Sequence, residues 1–334
     1  MEFLNIVWFV LIMILFTGFF VLEGFDYGVG MLTLGKSDFE RSQIIRAIGP
    51  IWDANEVWMI TAGGALFAAF PHAYATMFST FYLALFLLLV ALIFRAVAFE
   101  LRGKYPAKKW RCAWDCAIFF GSAVPALLWG VAFGNLLQGL PIDQNLHYLG
   151  NFYDLLSPYT ILTGITFLTL FLFHGANFLL IKLADERLIL ALKRQGFKCG
   201  IVAFAIYVIF VIVTATSTNL VANLISASPL FISAICLMTS VNSLYRERFF
   251  SAFIFSTISI VGLTIGFFSA LFPNIMVSSI DPNFSVNIYN AASTPHTLAI
   301  MTGAAVVLVP IVLIYQAWTY RIFKERITPS DINH

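Results

Sequence analysis

GFFVLEGFDYGVGML, residues 18–32, sets two carboxylates, Glu23 and Asp26, among the glycines Gly18, Gly24, Gly28 and Gly30. Apolar residues flank it on both sides, from Phe3 to Leu34. That run exceeds the apolar core of a cleaved signal, about 7–15 residues, and no basic residue precedes it. It reads as a retained first membrane helix. A second stretch, GPIWDANEVWMITAGGALFAAFP, residues 49–71, repeats the pattern with Asp53 and Glu56. In both stretches the acids are three apart and share a helix face.

Composition makes those acids more pointed. The chain has 334 residues, 60% hydrophobic and only 11% charged. A soluble domain carries about 25% charged residues, so a water-exposed surface cannot be built here. The class is an all-α integral membrane protein. A net charge of +2 and the lack of an aromatic–basic patch give no nucleic-acid partner. The cysteines Cys112, Cys116, Cys199 and Cys236 form neither CxxC nor CxxCH and read as packing thiols.

A spanning helix needs about 20 mostly apolar residues. Nine are expected in one polytopic domain over 1–334: 4–34, 47–71, 75–101, 112–139, 157–184, 198–222, 228–245, 249–273 and 297–323. The span 228–245 is the shortest. No segment reads as a strand. With nine spans, every Lys and Arg of the 19 except Arg95 falls on one side of the membrane. The opposite loops carry only acids, such as Asp143, Asp154 and Asp281. Basic loops stay cytoplasmic, so the N-terminus is expected in the periplasm and the C-terminus in the cytoplasm. Charge crowds into the first four helices, which suggests two four-helix bundles plus one extra helix.

A charge at the centre of a membrane helix costs about 2.5–3.5 kcal/mol, so four unpaired carboxylates would cost on the order of 10 kcal/mol. Glu23, Asp26, Asp53 and Glu56 must therefore be paired, protonated or wet. Arg95 on the third helix is the available charge partner, and Glu100 lies further out. The topology sets the group between the cytoplasm and the midplane. Two readings stand: a hydrated proton-conducting or ligand-binding cleft, and an ion-pair network that locks helices together.

Other residues have plainer roles. Gly24 and Gly28 form a small-xxx-small pair for close helix contact, and Gly63 and Gly64 are read likewise. No GxGxxG or P-loop is present. Of His72, His147, His174, His296 and His334, only His174 is well inside a helix, and a lone histidine reads as a hydrogen-bonded packing residue. No haem, copper or other metal site is expected. Trp52 and Trp58 flank the acids of the second stretch. Both are candidates for an aromatic lining or quinone contact; interface anchoring is the plainer account of Trp52, and the two accounts weigh evenly for Trp58, which lies deeper.

Several ordered motifs carry a resemblance. GFDYGVGML (24–32), the stretch 49–71, IFRAVAFELR (93–102), GVAFGNLLQG (130–139) and VLVPIVLIYQAW (307–318) resemble subunit II of cytochrome bd-type quinol oxidases. The resemblance covers most of the chain and is densest over 18–139. It implies a heterodimer with a homologous nine-helix subunit I in a bacterial inner membrane, among lipids, with room for a small accessory subunit. Subunit I would carry two haems b and one haem d, oxidise quinol and reduce oxygen to water with cytoplasmic protons. Subunit II would hold no haem ligand, would contribute a carboxylate to proton uptake, and in some members holds a structural quinone. By motif that carboxylate is Asp53, and Trp52, Asp26, Trp58 and Arg95 also match. Glu23 stands where some members have Asp, and Glu56 where some have Gln. In length the chain resembles the cyanide-insensitive branch.

The reading is therefore an oxidase subunit, not catalytic alone, with Asp53, Glu56, Asp26 and Glu23 on a proton path and Arg95 as charge partner. A proton-coupled secondary transporter would also need intramembrane acids, but usually with broken helices and a midplane site. A scaffold subunit without a proton role is the third reading.

Overall fold

In a bilayer a chain must satisfy its own backbone N–H and C=O groups, and a helix does so within one segment. The computed structural model describes residues 2–218 and 224–332, and these are almost wholly helical. The helices are α1 (Glu2–Leu32), α2 (Asp38–Ile48), α3 (Trp52–Ala69), α4 (Pro71–Thr80), α5 (Tyr82–Leu101), α6 (Lys108–Gln138), α7 (Pro158–Lys182), α8 (Glu186–Ser217), α9 (Leu224–Tyr245), α10 (Phe249–Leu271) and α11 (Pro295–Ile322). The end of the expected span 198–222, and His334, lie outside the described residues.

Among the described residues eight helices are long and apolar enough to cross a membrane: α1 and α5 to α11. The expected span 47–71 corresponds to α3, whose 18 residues fall outside that set because Asp53, Asn55 and Glu56 crowd its first turns.

Four features depart from the sequence reading. First, residues 38–48 are not loop but the amphipathic helix α2. Ser37 and Glu40 close a capping box at its start: the Ser37 hydroxyl accepts from the Glu40 N–H at 3.3 Å, and the Glu40 carboxylate accepts from the Ser37 N–H at 2.8 Å. Second, the expected helix 75–101 is two helices broken at Phe81, and α4 begins with Pro71 at its first position, where no backbone N–H is needed. Third, α8 starts at Glu186 rather than near 198. At 32 residues it is about 48 Å long, well beyond a hydrocarbon core of ~30 Å. Polar residues end the apolar signal but not the helix. Fourth, strands do occur: β1 (Asn274–Met276) and β2 (Val286–Asn287) pair antiparallel, with a register shift between Asn274 and Met276.

α1 is the central element and packs against α3, α6, α7 and α10. Gly28 makes this possible. A Cβ there would lie 2.0 Å from the Phe171 carbonyl oxygen and 2.8 Å from the backbone of Gly175, so α1 and α7 touch backbone to backbone. Around this contact Phe20 meets Phe167 and Phe133 edge-on, with ring centroids 5.2 and 5.3 Å apart. α9 and α10 pair closely, with α8 against α7 and α9. α11 is peripheral, and Leu298 is its one buried residue among those described. The thiols are free; Cys112 and Cys116 are exposed rather than packed, and Cys199 and Cys236 half-buried.

Candidate functional site

α1, α3 and α5 bring four of the five charged candidates together. Arg95, on α5, is wholly buried. Its Nη1 donates to Glu23 Oε1 from α1 and, at 2.9 Å, to Glu56 Oε1 from α3. The guanidinium carbon lies 4.9 Å from the ring centroid of Tyr27 and 5.4 Å from that of Phe99. Gly121 of α6 admits the arginine: a Cβ there would sit 2.6 Å from Arg95 Cβ. Asp26 is also wholly buried, and its Oδ2 accepts from Asn55 Nδ2 at 2.7 Å.

One buried cation thus faces three carboxylates, Glu23, Asp26 and Glu56. Pairing is incomplete: Glu23 Oε2, Asp26 Oδ1, and Arg95 Nε and Nη2 are buried without a hydrogen-bond partner among the described residues. Asp53 stands apart. It lies exposed on the first turn of α3, with no hydrogen bond or ion pair to another described residue. Glu56, one turn on, is half-buried, so α3 runs from an exposed acid to a sealed cluster.

The two tryptophans do different work. Trp52 packs on Phe99, centroids 5.2 Å apart, in the wall beside Arg95. Trp58 lies over Gly18, where a Cβ would come within 2.3 Å of its ring, and its Nε1 donates to Gln316 Oε1 at 2.7 Å. Sequence reasoning missed the polar residues around this point. Asn55 accepts at Oδ1 from the Tyr320 hydroxyl at 2.8 Å and from Gln316 Nε2 at 3.5 Å. Asn55 was legible as a third polar residue in DANE, and Gln316 as an amide inside an apolar helix; Tyr320 carried no signal.

A second charge cluster lies at the end rich in Lys and Arg. Asp115 of α6 pairs with Arg41 of α2 and, at 2.6 Å, with Arg102 beyond α5. Asp38 of α2 pairs with Arg102 at 2.6 Å and with Arg111 of α6. Here three arginines meet two acids, the reverse of the inner balance, and the network bolts α2 across α5 and α6.

His174, on α7, is wholly buried. Its Nε2 lies 3.2 Å from the Val21 carbonyl oxygen and its Nδ1 2.7 Å from Ser256 Oγ. Both nitrogens are engaged, so the ring does not fit an axial ligand of haem iron. Among the described residues no three His, Cys, Asp or Glu side chains group as a metal site.

Gly63 and Gly64 do not pack against a helix as expected. A Cβ on either meets nothing within 4 Å. They line an apolar cavity of about 640 Å³ between α3, α4, α5 and α6, along with Met59, Trp129 and Phe133. Trp52 and Trp58 are not among its lining residues.

A polytopic helical membrane protein that gathers one buried arginine and three carboxylates, two of them wholly buried, among its helices is the class these observations define. The chain belongs to the family of cytochrome bd terminal oxidase subunit II, whose model matches residues 4–323. It is 38% identical to cytochrome bd-I ubiquinol oxidase subunit 2 of Escherichia coli K12, over 99% of this chain and 97% of that one. It is also 38% identical to cytochrome bd ubiquinol oxidase subunit 2 of Bacillus subtilis 168, over 99% of each. The solved bd oxidase from Geobacillus thermodenitrificans superposes with a TM-score of 0.76 at 15% identity, over 96% of this chain and 98% of that one, which is a likeness of fold. The chain is therefore a multi-pass bacterial inner-membrane protein and a subunit of a respiratory oxidase, an oxidoreductase complex.

Proposed function

We propose that this chain is the second subunit of an electrogenic quinol oxidase and carries cytoplasmic protons toward oxygen chemistry in a haem-bearing subunit I. The observation that carries this is the charge balance at Arg95: one sealed guanidinium against Glu23, Asp26 and Glu56. Buried carboxylate in excess of its counter-charge must be neutralised by protons or water. Buried polar atoms without protein partners on Glu23, Asp26 and Arg95 suit water as a further partner.

In this reading Asp53 is the entry, exposed at the start of α3. Glu56 receives the proton one turn deeper, and Glu23 and Asp26 continue on α1. Arg95 balances the charge left behind. The complex would hold two haems b and one haem d in subunit I, which this chain does not ligate. α3 is the ninth span: its 18 residues measure about 27 Å, close to the ~30 Å hydrocarbon core. The N-terminus is then periplasmic and the C-terminus cytoplasmic. Two four-helix groups, α1–α3–α5–α6 and α7–α10, with α11 outside, follow the order of the spans along the chain, and α7 joins them by packing on α1 and α6. The cavity beside α3 suits the isoprenoid part of a structural quinone.

Asp53→Asn tests the path, because it keeps size and most hydrogen bonding but carries no proton. In the purified complex quinol-driven oxygen uptake should fall while the haem spectrum stays unchanged. Asp53→Glu should recover part of the rate, and Glu56→Gln should be milder than Asp53→Asn. Full turnover and full proton uptake by Asp53→Asn in sealed vesicles would place the entry elsewhere. Loss of the complex would favour the ion-pair network. A colourless chain that moves a solute by itself would favour the transporter.

A further inference from the structure

The hydrogen bonds from Trp58 to Asp26 run in one direction, because chemistry fixes the Trp58 end. The Trp58 indole N–H can only donate, so Gln316 must turn its carbonyl oxygen to it and its NH2 toward Asn55. Asn55 then presents its oxygen to Gln316 and to the Tyr320 hydroxyl, and its NH2 to Asp26. Turning the Asn55 amide over would set NH2 against NH2 at Gln316, and would require Asp26 to donate. Shape alone does not fix the orientation of an amide, since oxygen and nitrogen are alike in size, so the hydrogen bonds decide it.

Two residues of this chain come from α11, a helix whose other contacts are slight. The Trp8 indole donates to Thr302 at 3.1 Å near the start of α11, and a reciprocal cap fixes the basic end of the helix. Lys182, the last residue of α7, donates to the carbonyls of Phe323 and, at 2.8 Å, Glu325 just past α11. Arg326 in turn donates to the Ile181 and Leu180 carbonyls at the end of α7, at 3.0 and 3.3 Å. Each helix end satisfies the open carbonyls of the other. α11 is thereby pinned where Gln316 and Tyr320 reach Asn55.

We propose that Gln316 and Tyr320 are positioning residues that hold the Asn55 amide with its N–H groups toward Asp26, so that Asp26 is kept as a hydrogen-bond acceptor beside Glu23, Glu56 and Arg95. This deepens the proton-path reading and rests on it for its consequence, though not for its geometry. The peripheral helix would then govern the acid on α1 without touching it.

The test uses the whole complex in detergent at neutral pH. A hydrophobic carbodiimide, which modifies carboxyls that hold a proton, is applied, and the peptides bearing Asp26 and Glu56 are quantified by mass spectrometry. Tyr320→Phe and Gln316→Leu should each raise modification of Asp26 several-fold and leave Glu56 unchanged. Tyr315→Phe, an exposed tyrosine of the same helix, should change neither. Unchanged Asp26 modification in both variants overturns the proposal. So does a rise shared equally by Glu56, which would report mere opening of the site. Loss of the haem spectrum in the near-isosteric Tyr320→Phe would make the residue structural only, and also overturns it. Raised modification with undiminished oxygen uptake upholds the positioning role and removes Asp26 from the proton path. Unchanged modification with a slow Asp53→Asn enzyme does the opposite.

Discussion

His174 is a buried side chain whose two ring nitrogens both have partners. The Val21 carbonyl can only accept, so the proton of the ring sits on Nε2, and Nδ1 is left to accept from Ser256. The ring also stacks on Phe253, with centroids 4.8 Å apart. His174→Ala should therefore cost about 1–3 kcal/mol of stability, from two lost hydrogen bonds and the space left beside Phe253, with the Ser256 hydroxyl falling back on the Phe253 carbonyl 2.9 Å away. The haem spectrum of the assembled complex should keep its full amplitude per protein. Loss of one haem at equal protein would show that the ring ligates iron. Arg95 is the contrasting case: its contacts leave donors over, and its neighbours leave acceptors over. The Arg95 cluster therefore has room for further polar partners such as water, which the His174 ring nitrogens do not need.

At the scale of elements, the short helix α2 and the start of α8 hold each other. Asp185 caps α8, its Oδ1 accepting from the N–H groups of Arg187 and Leu188 at 3.0 and 3.2 Å. Its Oδ2 accepts from Gln43 of α2 at 3.1 Å. Gln43 above all, with the capping N–H groups, holds the Asp185 carboxyl below the usual range. A carboxyl whose folded pKa is depressed adds stability above its unfolded value and loses it as pH falls through the folded one. Asp185→Ala should thus destabilise by about 0.5–2 kcal/mol at neutral pH, the range for a lost N-cap. The gap in melting temperature between variant and parent should narrow below about pH 4, near the ordinary aspartate value. A gap that widens on acidification would mean that the carboxylate is not the stabilising form.

The whole molecule is organised by two opposite charge balances. At the basic end, arginines outnumber the acids they bind; at the inner cluster, acids outnumber the arginine. The first suits a face held in the cytoplasm, where Lys and Arg are retained. Single cysteines in a cysteine-free background check the arrangement of all the spans at once. Lys108→Cys and Arg194→Cys should react with an impermeant reagent only from the cytoplasm, and Asp143→Cys and Asp281→Cys only from outside. Reaction of Asp281→Cys from the cytoplasm would break the nine-span count.

The sequence by itself determined that this is a helical membrane protein, that its acids gather on α1 and α3, and that Arg95 answers them. These follow from local facts. Long apolar runs must be helical in lipid, and a charge inside one needs a partner of the opposite sign. Gly28 was legible too, because a small-xxx-small pair announces a close contact without naming the other helix. Only the tertiary structure decided what lies beside what. Gln316 and Tyr320 reach Asn55 across 261 and 265 residues of chain, and nothing local to either helix encodes that meeting. Gly63 and Gly64 repeat the small-residue signal yet face a cavity, since spacing tells which residues share a face but not what stands opposite. α2 escaped notice because a search for apolar length passes over a helix too short and polar to cross the membrane. The site is divided in the same way: its charges stand out one by one against a lipid solvent, whereas the neutral amides and hydroxyls that orient them acquire meaning only through their partners.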